Sequence, residues 1–190
     1  MPRSVANALL NQQFRQALTP GAGHLMPGAA NALAARVIEA TGHQMLMVSG
    51  AAVANTYLGA PDIGLVSLAE LASHVGAIRD AVNIPLLVDG DTGHGEVLNV
   101  MHLVRCFEDA GAAAVQLEDQ LLPKKCGHLN DKRLADPEDM ALKVAAAVQA
   151  RRHLLVVART DALAAEGLDG ALARARLYLQ AGADVIFPEA

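Results

Sequence analysis

Ala110-Gly111-Ala112-Ala113-Ala114-Val115-Gln116-Leu117-Glu118 holds a helix end, a buried strand and a polar strand tip in one short stretch. Gly111 supplies the left-handed turn that closes the preceding helix, because glycine takes positive φ without a Cβ penalty. The apolar run 113–117 reads as a short buried strand. Glu118 stands at its C-terminal end. The same order recurs in Ala40-Thr41-Gly42-His43-Gln44-Met45-Leu46-Met47-Val48-Ser49 and in Ala181-Gly182-Ala183-Asp184-Val185-Ile186-Phe187-Pro188-Glu189. In each, a glycine (Gly42, Gly111, Gly182) is followed seven residues later by a polar residue just past an apolar strand.

Outward from these repeats, 85–88 and 154–158 read as two more buried strands, tipped by Asp89 and Arg159. A weaker first strand is expected at 25–27. One helix is expected over 96–110, with Val97, Val100, Met101, Val104 and Phe107 on one stripe. Another opens at Asp136-Pro137-Glu138-Asp139, an N-cap followed by a first-turn proline and acids. A third is expected over 168–181. Repeated βα units predict an α/β fold of the (β/α)₈ TIM-barrel type, forming a single barrel domain over 1–190. Ser49, Asp89, Glu118, Arg159 and Glu189 would then converge on one mouth, where active sites of such barrels lie. Only six βα starts can be read, whereas a complete barrel has eight strands in about 250 residues. The expectation is a barrel truncated after the sixth strand: a fragment, or one completed from elsewhere.

The composition agrees. Hydrophobic residues make up 53% of 190, aromatics only 3%, and Trp is absent. The core must therefore be built from Ala, Leu, Val and Ile, as in layered α/β folds. A net charge of −5 without a basic run disfavours nucleic-acid binding, and no nucleic-acid partner is expected. The apolar runs are short and interrupted, so no membrane span is expected. Residues 1–19 include Arg3, Asn7, Asn11, Gln12, Gln13 and Arg15, which is no apolar signal core, and a cytoplasmic location is expected. Cys106 and Cys126 cannot build a disulfide framework, in keeping with a reducing compartment.

Three clusters point to chemistry. Asp89 and Asp91, two apart in Val88-Asp89-Gly90-Asp91-Thr92-Gly93-His94-Gly95, share a face of an extended chain. Paired carboxylates repel unless positive charge lies between them. Mg²⁺ suits this, since it binds one or two carboxylates while keeping waters and substrate oxygens. Alone, Asp-Gly-Asp is as readily a turn; Glu118-Asp119 at the next strand end favours a metal set of Asp89, Asp91 and Glu118. In Lys124-Lys125-Cys126-Gly127-His128, cations beside a thiol suit a group that gives and takes a proton. The plainer reading is an exposed basic turn with an incidental cysteine. Cys106, on the helical stretch, reads as packing. Arg159, in Ala158-Arg159-Thr160-Asp161-Ala162, suits recognition of a carboxylate or oxyanion, or a structural pair with Glu118 or Glu189.

These motifs resemble the isocitrate lyase/phosphoenolpyruvate mutase superfamily, and within it the 2-methylisocitrate lyase branch. The resemblance spans nearly the whole chain. It is carried in order by Val48-Ser49-Gly50, Gly59-Ala60-Pro61-Asp62-Ile63-Gly64, the segment from Val88 to Gly95, Leu117-Glu118-Asp119-Gln120, the Lys-Lys-Cys-Gly-His segment, the Arg159 segment and Phe187-Pro188-Glu189-Ala190. The Lys-Lys-Cys-Gly-His signature is the most specific. The resemblance implies a Mg²⁺-dependent carbon–carbon lyase, with Mn²⁺ as the substitute ion, acting on a 2-hydroxy acid such as 2-methylisocitrate to give pyruvate and succinate. Asp89, Asp91 and Glu118 would hold the metal, directly or through water. Ser49, Gly50 and Ala51 would hold the carboxylate of the pyruvate half. Arg159 and Asp62 would act at the oxygen that becomes the ketone. Lys124, Gly127, His128 and Glu189 would line the rest of the substrate site, and Cys126 would be the general acid. The resemblance also implies a homotetramer with helix swapping in the full-length protein. Ala51 replaces a glycine common in relatives, and Met47 an aromatic. Dimethylmalate cleavage, oxaloacetate breakdown, phosphoryl transfer and an inactive barrel fragment are the alternatives.

Overall fold

The computed structural model describes residues 3–127 and 129–189. His128, expected in the substrate site, lies outside the described residues. Helix α1 (Arg3–Ala17) comes first, then β1 (Gly28–Ala29), α2 (Ala32–Ala40) and β2 (Leu46–Val48). A short helix α3 (Gly50–Val53) runs into one wider turn at Ala54–Leu58, followed by α4 (Leu68–Ala81) and β3 (Leu86–Asp89). Next come α5 (Val97–Ala110), β4 (Ala114–Glu118), α6 (Pro137–Ala150), β5 (Leu155–Thr160), α7 (Ala162–Gln180) and β6 (Val185–Pro188). The six strands pair in parallel in chain order, as successive staves of a (β/α)₈ barrel do. The first strand falls at Gly28–Ala29 rather than at 25–27. The helix expected over 168–181 is the later part of a longer α7, which opens at Ala162 and is interrupted at Gly167 (φ 70°, ψ −172°) before regular helix resumes. Among the described residues no helix is long and apolar enough to cross a membrane.

Alternation along the strands sorts side chains into two layers. Leu46, Val48, Leu86, Val88, Val115, Leu117, Val156 and Ala158 face outward and pack under Leu71, Ile78, Leu103, Phe107, Val144 and Tyr178 of the helices. Met45, Leu87, Ala114, Leu155 and Val157 face inward, and Phe14 of α1 closes over them. Asn11 Nδ2 ties α1 to the sheet by donating to the carbonyls of Ala113 (3.2 Å) and His153 (2.9 Å). Two polar residues of this first helix, Asn7 and Asn11, are buried by the fold. Cys106 is only half-buried on α5, its Sγ 3.5 Å from His102 Nε2, so it lies beside the helix core rather than in it.

The three repeat glycines all take the left-handed conformation: Gly42 at φ 91°, Gly111 at 99° and Gly182 at 103°. Gly111 also meets a neighbour, since a Cβ there would lie 2.5 Å from Arg79 Cγ. That side chain is fixed, donating through Nη1 to the Ile84 carbonyl at 2.8 Å. A Cβ on Gly42 would meet nothing within 4 Å. Gly111→Val is expected to lower stability by about 1–2 kcal/mol from the backbone alone. Gly42→Val carries the same backbone strain without the clash. In denaturant melts Gly111→Val should therefore lose clearly more than Gly42→Val; equal losses would remove the Arg79 contact from the account.

Candidate active site

The inward file continues past the apolar layer into polar strand ends. Met47 pairs in register with Leu87, and Asp89 with Gln116. Glu118 lies beside Arg159, and Arg159 beside Phe187. A cavity of about 180 Å³ opens there. Ser49, Ala51, Asp62, Asp89, Glu118, Lys124, Cys126, Gly127, Arg159 and Glu189 all line it. The residues singled out in the sequence, His128 apart, are therefore brought to one mouth, with Gly50 and Asp91 just behind the lining.

The acids share that mouth with two cations. Lys124, almost fully buried, contacts Asp62 and sits 2.5 Å from Asp91 Oδ1. Arg159 Nη1 lies 3.4 Å from Glu118 Oε2 and 3.5 Å from Glu189 Oε2. Burial first, and Asp91 next, push Asp89 up to about 6. Burial and then Asp89 raise Glu118 well above the usual carboxylate range. Burial also raises Asp91, against the pull of Lys124. Burial opposes the charge on Lys124, but Asp91 and Asp89 outweigh it and raise its pKa. Glu118 Oε1 is buried without a hydrogen-bond partner among the described residues.

This set fits a hard divalent ion, with one restriction. The donors are all carboxylate oxygens, buried, close together and short of positive charge. Asp89 and Asp91 stand side by side: a Cβ on Gly50 would be 3.1 Å from Asp89 Oδ2 and 3.5 Å from Asp91 Oδ1. Among the described residues, however, no three Asp, Glu, His or Cys side chains form a ready cage. An ion held by one or two carboxylates and bridged by water to the rest fits; a direct three-carboxylate cage does not. Asp119 contributes to neither. It accepts from Thr160 Oγ1 (2.7 Å), the Asp161 amide (2.9 Å) and Tyr178 OH (2.8 Å), clamping β4 to β5 and α7.

Two expected roles look different in place. The Gly50 amide donates to Asp89 Oδ2 at 3.1 Å, so it supports a carboxylate of the protein. Ser49 caps α3, its Oγ accepting from the Ala52 amide at 3.3 Å. Arg159 satisfies both structural pairings expected for it and adds a third that sequence reading missed. Asp161 grips it at two points, Nε to Oδ2 at 3.0 Å and Nη2 to Oδ1 at 2.8 Å. Burial works against the charge on Arg159, yet the Asp161 hydrogen bonds and the charge on Glu118 raise its pKa overall.

The thiol loop is seated on this pair. A Cβ on Gly127 would lie 2.5 Å from Arg159 Nη2 and 2.7 Å from Glu189 Oε1, so only glycine brings the backbone so close. Lys132 Nζ then bonds both the Gly127 carbonyl (2.8 Å) and Asp161 Oδ1 (2.7 Å), tying the loop to β5. Lys132, Asp161 and Gln116 are the site residues that the sequence reading passed over. The signal for Gln116 was its place two residues before Glu118, on the same strand face.

The parallel strands with a polar mouth at their C-terminal ends define a (β/α)₈-type chain. Within that class the chain belongs to the phosphoenolpyruvate mutase/isocitrate lyase superfamily, matching the family described as phosphoenolpyruvate phosphomutase over residues 14–190. It is 53% identical over 164 residues to the 2-methylisocitrate lyase of Aeropyrum pernix, covering 86% of this chain and 53% of that protein. The crystal structure of a 2,3-dimethylmalate lyase superimposes with a TM-score of 0.89 at 33% identity, covering 97% of this chain and 62% of that one. A phosphonopyruvate hydrolase in complex with oxalate and Mg²⁺ superimposes with a TM-score of 0.85 at 35% identity, covering 94% and 62%. The chain thus spans between half and two thirds of the length of these relatives.

Proposed function

We propose that the protein carrying this chain is a Mg²⁺-dependent carbon–carbon lyase, with 2-methylisocitrate as substrate and pyruvate and succinate as products. The observation that carries this reading is the Cys126-Gly127 loop resting on the Arg159–Glu189 pair, in the cavity that Asp89 and Glu118 also line. Identity to a 2-methylisocitrate lyase supports the choice of substrate.

In this reading Asp89, Asp91 and Glu118 hold Mg²⁺, in part through water, with Mn²⁺ able to replace it. The ion supplies Lewis-acid stabilisation to the oxygen that develops charge as the bond breaks. Ser49 and Ala51 bind the carboxylate of the pyruvate half, with Gly50 acting through Asp89. Arg159 binds the substrate's hydroxyl oxygen. Asp62, in contact with Lys124, accepts the hydroxyl proton. The bond between the hydroxyl-bearing carbon and its neighbour breaks, and the oxygen becomes the ketone of pyruvate. The electron pair stays on the departing carbon, and the Cys126 thiol gives it the proton that completes succinate. Lys124, Gly127, His128 and Glu189 surround the succinate half. The protein works in the cytoplasm as a homotetramer with swapped helices, the barrel here forming one domain.

Cleavage of 2,3-dimethylmalate is the second reading, favoured by the fit to the dimethylmalate lyase structure. Pyruvate does not distinguish all candidates by itself, so kcat/KM should be compared for 2-methylisocitrate, 2,3-dimethylmalate and oxaloacetate on the full-length protein. The first is expected to lead by at least an order of magnitude. Preference for either of the others would replace the substrate assignment.

A further inference from the structure

We propose that Gln116 determines specificity at this mouth by reading the hydroxyl group of the bound acid. Gln116 lies on β4 between Asp89 and Val157 in register. It is 1% exposed and lines the cavity, yet neither Oε1 nor Nε2 has a hydrogen-bond partner among the described residues. Its backbone is fixed, with the carbonyl accepting from the Gly90 amide at 2.8 Å. A Cβ on Gly90 would come within 2.9 Å of that oxygen, so β3 and β4 approach closely where the amide stands.

A buried amide with both ends unpaired costs folding free energy, and a ligand that satisfies it recovers that cost. The ionised groups of the mouth offer one polarity each, and the Ser49 hydroxyl already caps α3. Asp62, Asp89, Glu118 and Glu189 only accept; Lys124 and Arg159 only donate. Gln116 is neutral and presents a donor and an acceptor side by side. Its complement is a ligand with a proton to give and an anionic oxygen to receive one. A 2-hydroxy acid has both, in its carboxylate and in its hydroxyl, whose proton Gln116 Oε1 holds in the bound acid until Asp62 takes it as cleavage begins. A 2-oxo acid has only acceptors. A site built to accept from a hydroxyl discriminates against ligands that lack one, because the acceptor is then left buried and unpaired. The inference rests on the reading above in taking a 2-hydroxy acid as the ligand.

Gln116→Met keeps the length of the side chain and removes its polarity; Gln116→Glu keeps the acceptor and removes the donor. Both are tested in the full-length protein with Mg²⁺ present. Calorimetry in a Cys126→Ser background reads the binding of 2-methylisocitrate and of pyruvate, and ligand-free melting temperature reads folding. Gln116→Met should weaken 2-methylisocitrate binding on the order of ten- to a hundred-fold. It should weaken pyruvate binding much less, and leave the ligand-free melting temperature unchanged or higher. Gln116→Glu should also bind 2-methylisocitrate more weakly. Binding within twofold of wild type, equal losses for both acids, or a melting temperature several degrees lower would overturn the inference, the last because it would show the amide to be satisfied within the fold. A wild-type protein that releases no pyruvate overturns the lyase reading alone, and the calorimetric comparison still decides Gln116. A parent protein that binds no 2-hydroxy acid overturns both.

Discussion

Cys126→Ser is expected to lower kcat by about 10²–10⁴, the contribution of a positioned proton donor. Cleavage leaves an electron pair on the departing carbon, and that carbon needs a proton from a group that is not itself a metal ligand. Cys126 lines the cavity on a loop separate from the end of β3, where Asp89 stands, and from the turn after it that holds Asp91. The loop is held from both sides: Gly127 packs on Arg159 and Glu189, and Lys132 bonds the Gly127 carbonyl. The serine variant keeps this seating, so its affinities for Mg²⁺ and substrate should stay within a few-fold of wild type. Cys106→Ser is the control, since that thiol lies on α5 beside His102 and should leave kcat unchanged. Alkylation should inactivate the wild type, with bound substrate protecting it. A Cys126→Ser enzyme that turns over at the wild-type rate would remove the thiol from the chemistry and leave a metal-only activity, such as oxaloacetate decarboxylation, as the better account.

Removal of the ion should cost at least as much. EDTA is expected to abolish turnover and Mg²⁺ to restore it. A Lewis acid at a developing oxyanion contributes several kcal/mol, on the order of 10³-fold in rate. The protein's share is visible without turnover. Asp89→Asn removes a charge from the buried pair beside Gly50, and calorimetry should find Mg²⁺ bound at least tenfold more weakly. Unchanged affinity in Asp89→Asn, together with turnover that resists EDTA, would separate these carboxylates from any ion.

The order of elements and the convergence of the strand tips were legible because both follow from local periodicities. A glycine that ends a helix and a polar residue seven positions later are set within one repeat, and alternation along each strand puts Asp89, Glu118 and Arg159 on one face. What escaped depends on register between segments far apart in sequence. Asp161, two residues from Arg159, was within reach of the same alternation, but Lys132, 29 residues from Asp161, bonds both Asp161 and the thiol loop. No local pattern marks that chain of contacts. The Gly50 amide was expected to meet substrate, but β2 and β3 lie so close that Asp89 takes it first. Asp119 looked like a partner of Glu118, but a residue one position along a strand end points the other way, here toward Thr160 and Tyr178. Helix α1 was hidden by its composition: a polar segment whose Asn7, Asn11 and Phe14 turn inward to cap the barrel floor.

The central claim is cleavage of one carbon–carbon bond with protonation of the departing carbon, and it is tested most directly by following the products in D₂O by NMR. The full-length protein with Mg²⁺ should convert 2-methylisocitrate into equal amounts of pyruvate and succinate, with one deuterium in each succinate, delivered from the exchanged Cys126 thiol. No cleavage of the acid, or succinate formed without deuterium, would contradict the account.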